Sequence, residues 1–371
     1  MSVEWLLRRL TDVVSLPKGQ VSPLEPPYRS QFLLAPDHVE SGTGEILRLE
    51  TAESQGAISG KYVVHPGDVV FSKIRPALRK VALADFTGIC SADMYPLRPG
   101  VEVAGEFIKA VLLGDRFSRY VESLSGRTGI PKVNRGDLEG FWFPVPPLDE
   151  QQRIVDVIAS IDRLIARTLH EREKRELVQK GVLSDFLKPV DSDSSRRWMH
   201  GNFGDFVRLQ RGFDITVAEQ RPGAIPVVSS SGISSYHDIP KVKGPGVVTG
   251  RKGKLGGVYY LEGSYWPHDT SLWVTDFKGN DPYFVAIYMR EMHLERYDAA
   301  TSVPTLNRNV VHNLPVSFPD RVRQRELAAL MRAFAANSAA LQEEVTKLQR
   351  LKQGLVDDLL SGRVEVSAVS A

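Results

Sequence analysis

Residues 128–135, Thr-Gly-Ile-Pro-Lys-Val-Asn-Arg, return later in the chain as residues 301–308, Thr-Ser-Val-Pro-Thr-Leu-Asn-Arg. The Thr, Pro, Asn and Arg of this stretch recur at a constant offset of 173 residues, and the same offset relates Gln151 to Gln324. No insertion interrupts the match as far as Leu187, so chance is a poor explanation. Self-similarity at a fixed offset is the signature of a repeated structural unit, and the sequence therefore predicts two copies of one unit.

Each copy ends in a long stretch with the apolar spacing of a coiled-coil helix. In the heptad that begins at Leu327, eight of ten a and d positions are apolar, and residues 148–187 contain no proline. Forty helical residues at about 1.5 Å rise each make a rod of roughly 60 Å, which is too long for the interior of a small domain. A heptad seam needs a partner helix, which the other copy supplies.

The regions in front of the helices are rich in Gly, Pro and β-branched runs, and helical stretches come later in each region. This order predicts mixed α/β domains. We expect a first domain at 1–147, a first long helix at 148–188, a linker and second domain at 189–319, and a second helix and tail at 320–371. The fold class is therefore α+β, with two similar α/β domains, two long helices and an internal pseudo-twofold repeat.

Composition excludes several classes of protein. The 371 residues include 47 Lys and Arg against 45 Asp and Glu, so the chain as a whole is not polybasic. The single cysteine, Cys90, excludes an intramolecular disulfide and a cysteine-cluster zinc site, and it suits a reducing cytoplasm. No run approaches the roughly 20 apolar residues of a membrane helix, so no membrane partner is expected. The eight histidines show no metal-ligand spacing, and no phosphate-binding loop is present. We therefore expect no catalytic, cofactor or metal site.

Local charge clusters indicate a partner where net charge does not. Two windows, 69–84 and 239–261, contain basic residues and no acidic residue, and an offset of 178 places Lys73 of the first opposite Arg251 of the second. Acid-free basic loops at matching places favour contact with the phosphates of double-stranded DNA over two unrelated solvated loops. The candidate DNA-binding residues are Lys73, Arg75, Arg79, Lys80, Arg127, Lys132, Lys241, Lys243, Arg251, Lys252, Lys254 and Arg308.

The ends of the predicted helices carry a family resemblance. Residues 144–154, Pro-Val-Pro-Pro-Leu-Asp-Glu-Gln-Gln-Arg-Ile, and residues 179–187, Gln-Lys-Gly-Val-Leu-Ser-Asp-Phe-Leu, resemble the specificity subunit of type I restriction–modification enzymes. Residues 348–363 resemble the matching second closing motif, and the resemblance covers nearly the whole chain. The second opening, residues 318–324, lacks the double proline and the Glu before Gln, so the symmetry is not strict.

This resemblance implies that each α/β domain is a target recognition domain for one half of a bipartite, asymmetric DNA site. The helices, paired antiparallel, would set the gap and dock methyltransferase subunits, usually two, and restriction subunits with a motor could join them. S-adenosylmethionine would belong to the methyltransferase partner. The candidate spacer and docking residues are Gln151, Ile154, Ile158, Ile161, Gly181, Leu327, Phe334, Leu348, Gly354 and Leu355.

Two other functions stay open at this stage. The chain could be a coiled-coil adaptor scaffold whose partners are all proteins and which binds no DNA. It could also be a metal-dependent nuclease, because Asp269, Asp276 and Lys278 approximate an Asp…Asp-x-Lys pattern. The first copy lacks such a pattern after Asp93, so a surface hairpin is the simpler interpretation of these three residues.

Overall fold

The structure, a computed structural model, describes residues 5–124, 131–188, 198–298 and 302–364. The chain divides into two compact units. Unit 1 comprises Met1–His170 and Leu341–Ala371, and unit 2 comprises Glu171–Ala340. Each unit contains one α/β domain and one part of each long helix, so the division cuts across the four segments expected from the sequence.

The domain of unit 1 is built from two four-stranded sheets, one two-stranded sheet and short helices. Its strands are β1 (Leu6–Arg9), β2 (Val14–Ser15), β3 (Phe32–Leu34), β4 (Glu50–Thr51), β5 (Tyr62–Val64), β6 (Val69–Ser72), β7 (Val81–Leu83), β8 (Gly88–Cys90), β9 (Met94–Pro99) and β10 (Trp142–Val145). Its helices are α1 (Leu10–Val13), α2 (Gly105–Leu113), α3 (Asp115–Leu124) and α4 (Arg135–Glu139). The sheet orders are β2-β9-β6-β7 and β4-β3-β8-β5, and β1 pairs with β10.

Helix α5 (Leu148–Leu187) follows this domain and continues into unit 2. The strands of unit 2 are β11 (Trp198–Asn202), β12 (Arg208–Arg211), β13 (Ile225–Ser229), β14 (Gly232–His237), β15 (Gly246–Gly250), β16 (Val258–Leu261), β17 (Trp266–Pro267), β18 (Ser271–Asp276) and β19 (Pro315–Pro319). The remaining helices are α6 (Phe203–Phe206), α7 (Pro282–Glu291), α8 (Arg308–His312) and α9 (Arg321–Leu360). The sheet orders are β12-β18-β15-β16 and β14-β13-β17, and β11 pairs with β19.

The two domains share one topology. The order β2-β9-β6-β7 in unit 1 matches β12-β18-β15-β16 in unit 2. In the second sheets, β3 and β8 run parallel, as do β13 and β17. In each domain the first and last strands form an antiparallel pair that brings the start and the end of the domain together. The predicted duplication of a mixed α/β domain is confirmed.

The apolar run Val69-Val-Phe71 shows why these sequences form a layered core. Val69 and Phe71 lie in a core with residues of α2, whereas Val70 lies in a second core with residues of the other sheet, including Leu34. Successive side chains of a strand point to opposite faces, so an unbroken apolar run fits a strand covered on both sides. In unit 2, Val247 and Val248 divide between two cores in the same way.

The long helices pair along the predicted seam. In unit 1, Ile154 near the start of α5 shares a core with Leu359 near the end of α9, and the Nζ of Lys352 lies 2.6 Å from a carboxylate oxygen of Asp162. In unit 2, the end of α5 contacts the start of α9 at Phe186 and Arg323, where the guanidinium lies 4.3 Å from the ring centroid. The helices are therefore antiparallel within each unit, as expected.

Candidate nucleic-acid interface

The basic window of unit 1 is held by the sequence stretch that repeats. The amide of Val133 donates to the carbonyl oxygen of Lys73 at 2.8 Å, and the amide of Arg75 donates to the carbonyl oxygen of Pro131 at 3.0 Å. These two hydrogen bonds flank an antiparallel bridge between Ile74 and Lys132. The loop after β6 and the repeated stretch before α4 thus form one two-stranded feature.

Unit 2 contains the same feature at equivalent positions. The amide of Leu306 donates to the carbonyl oxygen of Arg251 at 2.8 Å, and the amide of Gly253 donates to the carbonyl oxygen of Pro304 at 2.9 Å. Lys252 forms the antiparallel bridge in this copy, with Thr305. We call this feature the basic platform: residues 73–80 with 131–135 in unit 1, and 251–254 with 302–308 in unit 2. In each domain, the basic window and the repeated stretch of sequence therefore form one structure.

The turn of the basic platform has a residue with a positive φ at the same position in both copies. Arg75 has a φ of 47° and Gly253, at the equivalent position, has a φ of 87°. An L-residue in the left-handed region costs roughly 1 kcal/mol or more, whereas glycine adopts it freely. The first copy thus holds a long cationic side chain in a conformation that would suit glycine better.

Only some of the candidate cations, within and outside the platforms, lie on the surface. Arg127 lies outside the described residues. The candidates that are exposed are Arg75, Lys132, Lys241, Lys243, Lys252, Lys254 and Arg308. Of these, Lys241 lies with its Nζ 5.0 Å from the ring centroid of Phe213 and 5.3 Å from that of Trp266, so two aromatic faces orient its ammonium group.

Lys73 does not belong to the exposed set. It is only 8% exposed, and its Nζ lies 5.1 Å from the ring centroid of Tyr95. Arg135 also covers that ring, at 5.5 Å. The window was expected to present Lys73 to a ligand, but the packing of Tyr95 encloses its side chain within the domain.

Arg79 and Lys80 are partly engaged inside unit 1. A guanidinium nitrogen of Arg79 lies 2.6 Å from a carboxylate oxygen of Asp115, and the Nζ of Lys80 donates to the carbonyl oxygen of Pro36 at 2.6 Å. Burial opposes ionisation of Asp115, but hydrogen bonds from Gln353 and Arg79 outweigh it and hold the pKa of the carboxyl below its usual value. These two cations stabilise the domain as well as contributing positive charge to the surface.

Arg251 is similarly restrained in unit 2. Its Nε donates to the carbonyl oxygen of Asp269 at 2.9 Å. The carboxylate of the same aspartate lies 2.7 Å from a guanidinium nitrogen of Arg211, a residue that sequence reasoning did not select. Arg211 lies at the end of β12, far in sequence from the basic window, so no local charge pattern could identify it.

Gln151, proposed as a docking residue, is fully buried within unit 1. Its Nε2 donates to the carbonyl oxygens of Glu102 at 2.9 Å and Pro146 at 2.8 Å, and its Oε1 accepts from the amide of Ala104 at 2.9 Å. One side chain thus joins the first turn of α5 to the loop before α2. The structure corrects the docking interpretation, because these contacts connect the helix to its own domain.

Gln324 makes the equivalent contacts in unit 2. Its Nε2 donates to the carbonyl oxygen of Pro319 at 2.9 Å and to the Oδ1 of Asn280 at 2.8 Å, and its Oε1 accepts from the amide of Asp281 at 3.0 Å. It too is fully buried. The sequence offset of 173 therefore marks a repeated anchor between each domain and the start of its helix.

The other candidate residues of the long helices lie either in the seam between the helices or on the surface. Ile154 and Leu327 are fully buried within the chain, so the docking interpretation is corrected for them as well. The half-buried seam residues are Ile158, Ile161, Phe334, Leu348 and Leu355. Gly181 and Gly354 are exposed, and no heavy atom of the described chain, other than the helix's own backbone and chain neighbours, comes within 4 Å of where a Cβ would stand.

The nuclease constellation is not assembled. Asp269 precedes β18 and Asp276 ends it, so a six-residue strand, roughly 20 Å long at a rise near 3.3 Å per residue, lies between the two residues. The Nζ of Lys278 donates to the carbonyl oxygen of Gly204 at 2.7 Å. Asp269 does lie near Asp214 and His268, with one potential ligand atom of each within 4.8 Å of the others, but its carboxylate is already paired with Arg211.

Two further expectations concern Cys90 and membranes. Cys90 is fully buried, and burial raises the pKa of its thiol, so it is not a reactive thiolate. Across the described residues, no helix combines the length and the apolar character that a membrane span requires.

Parts of the chain are similar in sequence to known proteins. Residues 3–179 match the model of the type I restriction modification DNA specificity domain. The chain is 37% identical over 151 residues to the specificity subunit of the type I restriction enzyme EcoDI from Escherichia coli, covering 41% of this chain and 33% of that relative. It is 29% identical over 104 residues to the MjaVIII specificity subunit from Methanocaldococcus jannaschii, covering 28% of this chain and 24% of that relative. The chain thus spans a third or less of these curated relatives.

Solved structures share the fold over almost the whole chain. A structure from work on complex assembly and conformational transition of the type I R-M system matches with a TM-score of 0.72 at 18% identity, covering 97% of this chain and 98% of that one. The HsdS subunit from Thermoanaerobacter tengcongensis matches with a TM-score of 0.57 at 19% identity, covering 98% of both chains. The S subunit from M. genitalium matches with a TM-score of 0.60 at 14% identity, covering 97% of this chain and 96% of that one.

The repeated α/β domain, the antiparallel helices and the equivalent basic platforms define a duplicated two-domain protein in which each domain is anchored to a long helix by one buried glutamine. This fold is that of the solved S subunits from Thermoanaerobacter tengcongensis and M. genitalium. The match of residues 3–179 places a type I restriction modification DNA specificity domain in the first part of the chain, and the sequence is similar to that of the EcoDI specificity subunit.

Proposed function

We propose that the chain is the non-catalytic DNA-recognition subunit of a type I restriction–modification complex. Each α/β domain reads one half of a bipartite site, and the two halves differ because the platform side chains of the two domains differ. Phosphate contacts position a duplex, whereas contacts with base edges carry the sequence information. The observation that supports this proposal is the pair of equivalent basic platforms, built by the same two backbone hydrogen bonds in both units.

The platform cations can be tested one domain at a time. We expect Lys252→Gln, Lys254→Gln and Arg308→Gln together to weaken DNA binding by the complex of this chain with its methyltransferase partner. Each lost phosphate contact flattens the dependence of log K on log salt by about 0.9, so the slope should fall by up to about 3. In unit 1, Arg75→Asn with Lys132→Gln removes charge while keeping a residue that tolerates the left-handed turn.

The matched control for these variants is Arg167→Gln, an exposed cation on α5 outside both platforms and 14 residues from Gly181. It should leave the salt slope unchanged. If the platform variants bound DNA with the slope of the wild type, the platforms would not be the phosphate-contacting surface. If the wild-type complex retained no DNA at all, the protein-only scaffold would be the better interpretation.

The exposed face around each helical glycine is the proposed docking surface for methyltransferase subunits. Gly181 and Gly354 are related by the repeat offset, and each is preceded by an exposed apolar residue three positions earlier, Val178 at 49% and Leu351 at 58% exposure. A glycine inside a helix costs about 1 kcal/mol relative to alanine, and no described neighbour uses the space beside either one. Two equivalent surfaces that admit close approach of another backbone suit two copies of one partner.

Replacing these glycines should increase the stability of the chain and weaken its assembly with methyltransferase subunits. We expect Gly181→Ala with Gly354→Ala to raise the free energy of unfolding by about 1 kcal/mol per site, because alanine has the higher helix propensity. The added methyl groups should weaken binding of the methyltransferase subunits, measured by native mass spectrometry. The control is Arg167→Ala, an exposed residue on the same helix 14 positions before Gly181, which should leave the assembly intact. A stabilised double variant that assembles like the wild type would contradict the docking surface.

The same proposal assigns the remaining activities of the complex to its other subunits. S-adenosylmethionine would bind the methyltransferase subunit, while this chain selects the DNA. A restriction subunit that supplies a motor and a nuclease could join the same assembly, and the complex would work in the cytoplasm. Removal of the gene should abolish methylation at the bipartite site, whether or not a restriction subunit is present.

A further inference from the structure

We propose that Arg211 is the guanine-reading residue of the second domain, with Asp269 as its positioning residue. The inference rests on the proposed function, since it takes the platform of unit 2 as the surface that meets DNA. It adds a specific base, a specific reader and a carboxylate that orients the reader.

The carboxylate of Asp269 holds the guanidinium group of Arg211 in place. A nitrogen of Arg211 lies 2.7 Å from the Oδ2 of Asp269, and the Arg211 side chain is 57% exposed whereas that of Asp269 is 20% exposed. The carboxylate is thus largely enclosed while most of the guanidinium faces outward. Arginine recognises guanine by donating two hydrogen bonds to O6 and N7, and this contact requires a fixed plane.

Arg251 completes the cluster and links it to the basic platform. Its Nε donates to the carbonyl oxygen of Asp269, and its own carbonyl oxygen accepts from Leu306 in the repeated stretch. Burial lowers the pKa of Arg251, and the positive charge of Arg211 nearby lowers it further, so the two guanidinium groups are close neighbours. Burial opposes ionisation of Asp269, but the hydrogen bond from Arg211 and the charges of His268, Arg211 and Arg251 hold its pKa below the usual value.

The charge balance favours a base edge over a phosphate. Asp214 lies beside Asp269, the carboxylate that both Arg211 and Arg251 approach, so the formal charges of these two aspartates and two arginines cancel. A phosphate contact gains from an excess of positive charge, which this cluster lacks and which Lys252, Lys254 and Arg308 supply. A base contact gains from orientation, which Asp269 provides.

The first domain is built differently at the equivalent position. Lys73, which has no guanidinium group, stands where Arg251 stands, and its side chain is enclosed against the ring of Tyr95. The reader cluster is therefore a property of the second domain within the described chain. We expect the guanine to lie in the half-site read by unit 2.

The test uses the complex of this chain with its methyltransferase partner, and it selects bound sites from a randomised DNA pool. Arg211→Lys keeps the charge but loses the planar fork, and Asp269→Asn keeps the shape but loses the carboxylate charge. We expect both variants to lose about 10- to 100-fold of the discrimination for guanine at one position of one half-site. The other half-site and the salt slope should stay unchanged, and Asp276→Asn, at the far end of β18, is the matched control.

A DNA analogue identifies the contacted atom. Replacing that guanine by 7-deazaguanine removes the N7 acceptor, so the wild type should lose affinity and Arg211→Lys should lose much less. A phosphate contact would instead weaken binding to all sequences and flatten the salt slope, and that result would overturn the assignment. Unchanged discrimination in both variants would also overturn it. The proposed function itself fails only if the wild-type complex selects no bipartite site.

Discussion

Gln151→Ala should destabilise unit 1 by about 3 kcal/mol. The substitution leaves three backbone groups in a buried place without their partner: the amide of Ala104 and the carbonyls of Glu102 and Pro146. A buried polar group that loses its hydrogen bond costs about 1–3 kcal/mol, and the three are close enough to relax partly together. Hydrogen exchange read by mass spectrometry should show faster exchange in unit 1 and unchanged exchange in unit 2.

Two comparison variants show whether the loss of stability is specific to the buried glutamine of unit 1. Gln324→Ala should produce the same effect confined to unit 2, because Gln324 holds the carbonyl of Pro319 and the amide of Asp281 there. Gln152→Ala, one residue away and exposed, should change stability by no more than about 0.5 kcal/mol. A Gln151→Ala protein as stable as the Gln152→Ala protein would show that the buried glutamine does not anchor the domain to its helix.

Removing one heptad from each long helix should shorten the gap between the half-sites by about three base pairs. Contacts between Asp162 and Lys352 and between Arg175 and Asn337 set the pairing, so the matched deletions are residues 166–172 and 340–346. Seven residues at about 1.5 Å each shorten a helix by roughly 10.5 Å, and a base pair rises about 3.4 Å. The a and d pattern continues across both deletions, which preserves the seam.

The readout is the set of methylated sites in cells that carry the variant and its partner. Both half-site sequences should persist, because neither platform is altered. A deletion of seven residues from α5 alone is the control, since it shifts the seam against an unchanged α9 and should impair folding or assembly. An unchanged gap in a folded, active double-deletion variant would contradict the role of the helices as spacers.

The seam and the duplication could be predicted from the sequence. Apolar residues at heptad spacing indicate the seam, and a constant offset between matching residues indicates the duplication. Every a and d position from Leu327 to Leu359 is buried or half-buried, as the heptad predicts. The constant offset found Gln151 and Gln324, but the sequence could not show that their amides turn inward to backbone groups of their own domains. That contact depends on the loop before α2 reaching the start of α5.

The platform residues were predicted with less success, for a physical reason. Clustered charge along the chain shows where cations are placed, and it identified Lys252 and Lys254 on the surface. It cannot show that Tyr95 packs over Lys73. The pair of Arg211 and Asp269 joins residues 58 positions apart, and only the register of β12 against β18 brings them together.

Single-molecule methylation sequencing of cells with and without this gene tests whether the chain selects a bipartite DNA site. We expect the gene, with its methyltransferase partner, to add methylation at one bipartite site, with two unequal half-sites separated by a fixed number of unspecified bases. A single uninterrupted site, two identical half-sites, or methylation that does not depend on the gene would contradict this expectation.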